Sequence, residues 1–294
     1  MNKNIECLSF NDDYSRFVVG TNNGFSVYDS NPIQFKFSNN LFSGGLKIVK
    51  VFNRSRIVAF VGSGTNPEYP TNKLILWDAE KQSAVATISV KEEIENVIPL
   101  DTFLAVVTNN SLLLFKMNGE LTQVRVISLH TSNCVSIKMI KNKLVLIYTD
   151  PNDSGKILIQ KYDCDDCDDC DDVDITESTL ISIPVSKTKI EKIVLNSSGK
   201  TILVSSENDT YFKLFDTSTG DLIKQMSRST FSSEIMDFDY ISDDDMLCVI
   251  TNNASLHFLK SESTLTTVQA DWINSGKILT ILNVLSFVNH KLIL

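Results

Sequence analysis

Short apolar runs alternating with polar turns repeat along the whole chain. Four stretches share one pattern: Phe17 to Asp29 (FVVGTNNGFSVYD), Leu104 to Lys116 (LAVVTNNSLLLFK), Leu203 to Asp216 (LVSSENDTYFKLFD) and Leu247 to Lys260 (LCVITNNASLHFLK). Each has an apolar, β-branched run, a short turn of Asn, Asp, Ser or Gly, and a second run that ends in a bulky residue. Such runs joined by turn residues predict β-hairpins. Ile57 to Asp78, with a long turn, and Leu144 to Asp163 are looser copies. No amphipathic helical period competes with these strands.

The bulky residue closing the second run falls at Tyr28, Trp77, Phe115, Tyr162, Phe215 and Leu259, at intervals of 49, 38, 47, 53 and 44 residues. One further strand precedes each hairpin: Ile5–Phe10, Leu46–Phe52, Ile94–Leu100, Cys134–Ile140, Ile190–Asn196 and Ile235–Tyr240. A repeat of ~40–45 residues with four strands is the blade of a WD-type β-propeller. The expected fold is therefore all-β, a seven-bladed WD-type propeller. Six blades can be counted, and Ile278 to Leu294 supplies strands for a seventh. That last blade is short, because another period would end near position ~304. An incomplete blade would leave an unpaired sheet edge.

Composition changes this picture little. The 294 residues are 43% hydrophobic, ample for one packed domain running from 1 to 294. Net charge is −9, but eight aspartates crowd between Asp163 and Asp174, so the rest of the chain is near neutral. Without a basic face, nucleic acid is not an expected partner. The acidic run, an insertion at about 163–179, contains Cys164, Cys167 and Cys170. Their spacing invites a metal reading, but metal sites of this kind need a fourth ligand on a defined scaffold. The run reads instead as a self-repelling solvated loop, and no metal or cofactor is expected. Apolar runs of ~18 residues are lacking, and Met1 to Phe10 has no secretory apolar stretch. A cytoplasmic monomer is the expectation. His130, His257 and His290 sit in no nucleophile motif, and Gly62-Ser63-Gly64 lacks the Lys-Ser/Thr of a phosphate loop. The chain is expected to bind rather than to catalyse.

Two motifs narrow the class. Val61 to Asp78 reads VGSGTNPEYPTNKLILWD, and Phe215 to Leu222 reads FDTSTGDL. The first resembles the second-blade pattern of the PROPPINs, roughly VGGGxNPxFPxNKxxIWD, and the second their fifth-blade IFDTxTGxLL. The resemblance extends over about Ile5 to Trp272. It implies binding of phosphatidylinositol 3-phosphate and the 3,5-bisphosphate, and recruitment of autophagy or endolysosomal proteins. Transient peripheral association with pre-autophagosomal, endosomal or vacuolar membranes goes with that, as do protein partners near Gly62 to Lys73.

The family's L/F-R-R-G hallmark supplies one arginine to each of two headgroup pockets, where the planar guanidinium grips phosphate oxygens in pairs. Here the place reads Gln225-Met226-Ser227-Arg228-Ser229-Thr230, so only Arg228 matches. The resemblance implies a weakened first pocket of Ser206, Thr210 and Lys213, with Ser227 and Ser186 in place of the family's arginine and histidine. It implies a second, intact pocket of Arg228, Thr251, Ser255 and His257. The family's membrane-dipping loop corresponds to Lys260–Ala270 (KSESTLTTVQA), which is short and mostly polar. Two alternatives stay open: a lipid-independent scaffold that keeps only its protein-binding faces, and a degenerate gene product.

Overall fold

The computed structural model describes residues 4–11, 14–40, 44–53, 56–66, 69–100, 102–117, 120–130, 134–164, 176–227, 235–240, 247–252, 255–260 and 263–269. At 176–178, 236, 255, 256, 258–260 and 263–269 the description is of the backbone alone. The described residues form six four-stranded antiparallel sheets, each with its strands in chain order. The first holds β1 (Ile5–Phe10), β2 (Arg16–Thr21), β3 (Gly24–Ser30) and β4 (Ile33–Asn39). The second holds β5 (Leu46–Val51), β6 (Ile57–Gly62), β7 (Lys73–Asp78) and β8 (Ser83–Ser89). The third holds β9 (Ile94–Pro99), β10 (Phe103–Thr108), β11 (Ser111–Met117) and β12 (Leu121–Ser128). The fourth holds β13 (Val135–Ile140), β14 (Lys143–Asp150), β15 (Asp153–Asp163) and β16 (Thr176–Pro184). The fifth holds β17 (Ile190–Leu195), β18 (Thr201–Ser206), β19 (Tyr211–Asp216) and β20 (Leu222–Ser227). The sixth holds β21 (Ile235–Tyr240), β22 (Leu247–Thr251), β23 (Ser255–Lys260) and β24 (Ser263–Gln269).

The chain divides into two compact units, with the first three sheets in one, up to Ile127, and the next three in the other, from Ser128. Each unit is cored by apolar faces pressed together. In the first, Val18, Phe25 and Val27 meet Val49, Val58 and Phe60, while Val61 and Leu74 meet Ile94, Leu104 and Val106. In the second, Ile147, Ile157 and Ile159 meet Ile190, Ile202 and Val204, while Leu203 and Phe212 meet Phe238, Leu247 and Val249. Central strands covered on both sides need apolar residues at every position, and β10, FLAVVT, is buried throughout. Fourth strands such as β4 and β20 are exposed on about half of their positions.

The sequence period is also a register. Tyr28, Trp77, Phe115, Tyr162, Phe215 and Leu259 pair with Phe17, Val58, Leu104, Leu144, Ile202 and Leu247 respectively, the same place in every sheet. In five sheets the pairing with the fourth strand shifts at this residue, by a β-bulge that adds twist there. A second bulge near the start of the first strand skips Glu6, Lys47, Glu95, Glu191 and Met236. Glu6 uses that freedom to accept the Leu46 N–H of the next sheet at 3.1 Å. Lys47 likewise reaches Glu93 at 2.9 Å and Glu95 at 3.1 Å.

The structure revises one detail of the sequence reading. Most of Lys260–Ala270 is a strand rather than a loop: Ser263–Gln269 is β24, with Ser255 opposite Gln269 and Lys260 opposite Ser263. Alternating Thr, Leu and Val favour the extended ladder. Only residues 261–262 are left between the two strands. The seventh-blade strands expected at Ile278 to Leu294 lie outside the described residues, as do 165–175 of the acidic insertion. No described helix is long and apolar enough to cross a membrane.

Candidate functional site

At the last position of the second strand, or one residue before it in the fourth sheet, five of the six sheets carry a hydroxyl. Thr21, Thr108, Ser206 and Thr251 face Ile5, Ile94, Ile190 and Ile235, and the Thr149 N–H donates to the Cys134 carbonyl at 3.2 Å. All five residues are buried. The role of this position is visible in the first and third sheets. Thr21 Oγ1 donates to the Gly24 carbonyl at 3.1 Å, and Thr108 Oγ1 donates to that of Ser111 at 3.2 Å, closing each hairpin turn. A hydroxyl here therefore belongs to the repeat before it belongs to any ligand pocket. This applies to Ser206 and Thr251, two of the candidate headgroup contacts.

The exception is Gly62, in the second sheet. A Cβ there would lie 2.0 Å from the Tyr69 carbonyl oxygen, because the long turn folds back across the strand. The described residues of that turn are tied down on both sides. Ser63 donates its N–H to the Gly45 carbonyl at 3.1 Å and its hydroxyl to that of Gly44. Asn72 Nδ2 donates to the Val90 carbonyl at 3.0 Å, the Val90 N–H returns to Asn72, and the Ile94 N–H reaches the Thr71 carbonyl at 2.9 Å. Tyr69 lies on Phe60 with ring centres 5.8 Å apart. The Gly62–Lys73 motif is thus a brace that fastens the second sheet to the start of the third. Gly62→Ala is expected to cost about 1–3 kcal/mol, because the blocking atom is backbone. Urea unfolding of the variant checks this, and a loss within error would mean that the turn is not held as described.

What distinguishes the fifth and sixth sheets is one register position on the third strand. Lys213 pairs with Val204, and His257 pairs with Val249. In the other four sheets that place holds Ser26, Ile75, Leu113 and Gln160. The two nitrogen bases of the candidate pockets therefore arise at equivalent points of neighbouring repeats. His257 is half-buried, and loss of water pushes its imidazole below the ordinary range, so near neutral pH it is an uncharged hydrogen-bonding group. Ser255 lies two residues before it on β23, and Thr251 ends β22 across the same hairpin. Arg228 lies outside the described residues.

The fifth sheet borders an open cleft of about 500 Å³, lined by Ser186, Lys187, Thr188, Asn208, Asp209 and Lys213 with Pro184 and Val185. Ser186 and Thr188 share a hydrogen bond at 3.0 Å, and Thr188 Oγ1 donates to the Glu207 carbonyl at 2.6 Å. Lys213 Nζ donates to Asp209 Oδ2 at 2.8 Å and to the Val185 carbonyl at 2.8 Å. Ser186 and Lys213, named from the sequence, thus meet in one cleft. Thr210 stands beside it, exposed. Asp209 is the residue that sequence reasoning missed. The signal was its place four residues before Lys213, in the hairpin turn.

The motif at Asp216 is structural. Its Oδ1 accepts the Ser218 N–H at 2.6 Å and the Thr219 N–H at 3.1 Å, and Thr217 Oγ1 donates to the Gly199 carbonyl at 2.6 Å. Cys164 is buried, whereas Cys167 and Cys170 lie outside the described residues. No three His, Cys, Asp or Glu among the described residues are grouped to hold a metal ion.

Repeated four-stranded sheets in a common register define a β-propeller. No family model matches the chain. Among curated proteins it is 24% identical over 269 residues to SVP1-like protein 2 of Schizosaccharomyces pombe, covering 90% of this chain and 70% of that one. It is 26% identical over 279 residues to SVP1-like protein 2 of Saccharomyces cerevisiae, covering 86% and 62%. Autophagy-related protein 18e of Arabidopsis thaliana is 23% identical over 256 residues, covering 86% and 65%. The chain thus spans about two thirds of the length of these relatives. Kluyveromyces lactis Hsv2 shares the fold with a TM-score of 0.71 at 18% identity, over 95% of this chain and 79% of that one. So does KlAtg21 in its complex with the coiled-coil of AgAtg16, with a TM-score of 0.69 at 17% identity over 87% and 80%. These similarities and the shared fold agree with the PROPPIN resemblance carried by the second- and fifth-blade motifs.

Proposed function

We propose that this chain is a phosphoinositide effector of autophagy or endolysosomal membranes, with one effective headgroup pocket, on the sixth sheet. The observation that carries the reading is the matched register of Lys213 and His257, a nitrogen base at the same point of two neighbouring repeats. On the sixth sheet, Arg228 would supply the bidentate phosphate grip, His257 a neutral hydrogen-bond donor, and Thr251 and Ser255 hydroxyls. On the fifth, Ser206, Thr210 and Lys213 form a weakened pocket, because Lys213 is already bound to a carboxylate and a carbonyl. The ligands proposed are phosphatidylinositol 3-phosphate and the 3,5-bisphosphate. With only residues 261–262 between β23 and β24, membrane residence rests on the headgroup and is transient. The propeller would bring an autophagy-type protein partner to that surface, as a monomer with its second-sheet face near Gly62 to Lys73.

Vesicle flotation tests this. The parent chain is expected to float with vesicles that carry 3-phosphorylated phosphatidylinositol and not with plain ones. Arg228→Ala is expected to weaken capture tenfold or more, the loss of about 1.4 kcal/mol of charge-assisted hydrogen bonding. Equal capture of the two proteins would remove Arg228 from the pocket. The neutralised Lys213 also favours a second reading, a lipid-independent scaffold. Partner capture with no flotation of the parent would decide for it.

A further inference from the structure

The fifth-sheet cleft has the parts of an anion site and an acid among them. Lys213 supplies a cation, the exposed Lys187 stands at the rim, and the hydroxyls of Ser186 and Thr188 line the wall. Lys213 is withdrawn from water, with its side chain 17% exposed, and Asp209 is 16% exposed. The carboxylate is fixed from both sides. One oxygen takes the Lys213 ammonium at 2.8 Å, and the other accepts the Tyr211 N–H at 3.3 Å. Burial works to raise the Asp209 carboxyl, but the hydrogen bond and charge of Lys213 outweigh it and hold the group below the ordinary range. It is therefore ionised near neutral pH. A phosphate oxygen approaching Lys213 meets a negative charge already in the place it needs, and two anions sharing one desolvated site repel.

We propose that Asp209 is a resident competitor that closes this cleft to phosphate monoesters, and that removing its charge converts the cleft into a working anion site on Lys213, Lys187 and the Ser186 and Thr188 hydroxyls. The inference rests on the reading of the cleft as a headgroup-type site. It assigns the weakness of that site to an ion pair inside the chain, in addition to the missing arginine. One residue in the hairpin turn then sets how many headgroups the propeller holds.

The test uses the full chain carrying Arg228→Ala, so that the sixth-sheet pocket is silent. Asp209→Asn is added, which keeps size and a hydrogen-bond acceptor for Tyr211. Asp209→Ser is the second variant, and a cooperative urea transition in each certifies folding. Inorganic phosphate is titrated by calorimetry. Both variants are expected to bind it at least tenfold more tightly than the Arg228→Ala background, and adding Lys213→Ala is expected to abolish the gain. Flotation with and without 3-phosphorylated phosphatidylinositol separates the sources. Lipid-dependent capture assigns the opened cleft to a headgroup, and phosphate binding without capture assigns it to a soluble phosphate. Unchanged phosphate affinity in the folded variants overturns the proposal, as does a gain that survives Lys213→Ala. Failure of the Arg228 assignment is read separately, from parent against Arg228→Ala.

Discussion

Phe212→Ala is expected to cost about 3–5 kcal/mol of unfolding free energy, the range for removing a fully buried aromatic side chain. Phe212 has no exposed surface and lies edge-on to Phe238, with ring centres 4.8 Å apart and planes at 61°. The pair joins the fifth sheet to the sixth within the second unit, among Leu203, Leu247 and Val249. Two terms add in the variant: lost apolar transfer and a cavity that rigid strands on both sides cannot collapse into. Phe212→Leu is expected to recover most of the loss. Phe212 also immediately precedes Lys213, so its loss would loosen the strand that carries the cleft lysine. Urea unfolding measures the effect. A cost under about 1 kcal/mol would show that the two sheets are not held together here.

Asp239→Asn is expected to stabilise the protein above pH 6 and to leave it unchanged near pH 4. Burial pushes the Asp239 carboxyl up to about 6, against the opposing charges of Lys192 and Lys138 and the Tyr240 N–H hydrogen bond at 2.7 Å, with Asp237 adding to the rise. The acid is not rescued by Lys192, whose ammonium is committed to Asp237 and, at 2.8 Å, to the Phe238 carbonyl. Cys248, opposite Asp239 in the ladder, is a thiol whose own ionisation burial pushes upward, so it brings no compensating charge. A folded-state value above the unfolded one means that the folded chain binds the extra proton. The stability this contributes is complete below about pH 4 and is lost as pH rises to about 6. A shift of about two units corresponds to at most about 3 kcal/mol. Asparagine keeps the neutral shape at every pH, so the difference from the parent should open across that window. Asp29, Asp209 and Asp216 are shifted the opposite way, so their contributions vanish only at lower pH and do not overlap it. Melting curves taken from pH 4 to pH 8 check this. Parallel curves for parent and variant would sink it.

Much of the fold was legible in the order of residues. The first strands read from the pattern as Ile5–Phe10, Ile190–Asn196 and Ile235–Tyr240 match β1, β17 and β21 to within one residue. The six bulky residues sit at one register position. These features are local, because a period of two and a turn residue act over a few positions along the chain. The fourth strands were less legible. β4, β12 and β20 are exposed on half or more of their positions, so burial enforces less of an apolar pattern on them.

The candidate site was legible in part. Lys213 and Ser186 could be named from the family resemblance, and the structure brings them to one cleft. What the order did not reveal was the meaning of the hydroxyls. Ser206 and Thr251 looked like ligand contacts until Thr21 and Thr108 appeared at the same position in other sheets. The Gly62–Lys73 motif looked like a partner surface, and much of it proves to be a brace whose glycine makes room for the Tyr69 carbonyl.

By itself the sequence determined the repeat, the hairpins and the register, since each depends on neighbours a few residues apart. Only the tertiary structure decided which charges are available. Lys213 is neutralised by a turn carboxylate together with a carbonyl from β16's end, 28 residues away, and Asp239 is left beside a lysine already committed elsewhere. The physical reason is that the state of a charge is set by water and partners within a few ångströms in space, and several of those partners, such as the Val185 carbonyl on Lys213 and Lys192 beside Asp239, are distant in the chain.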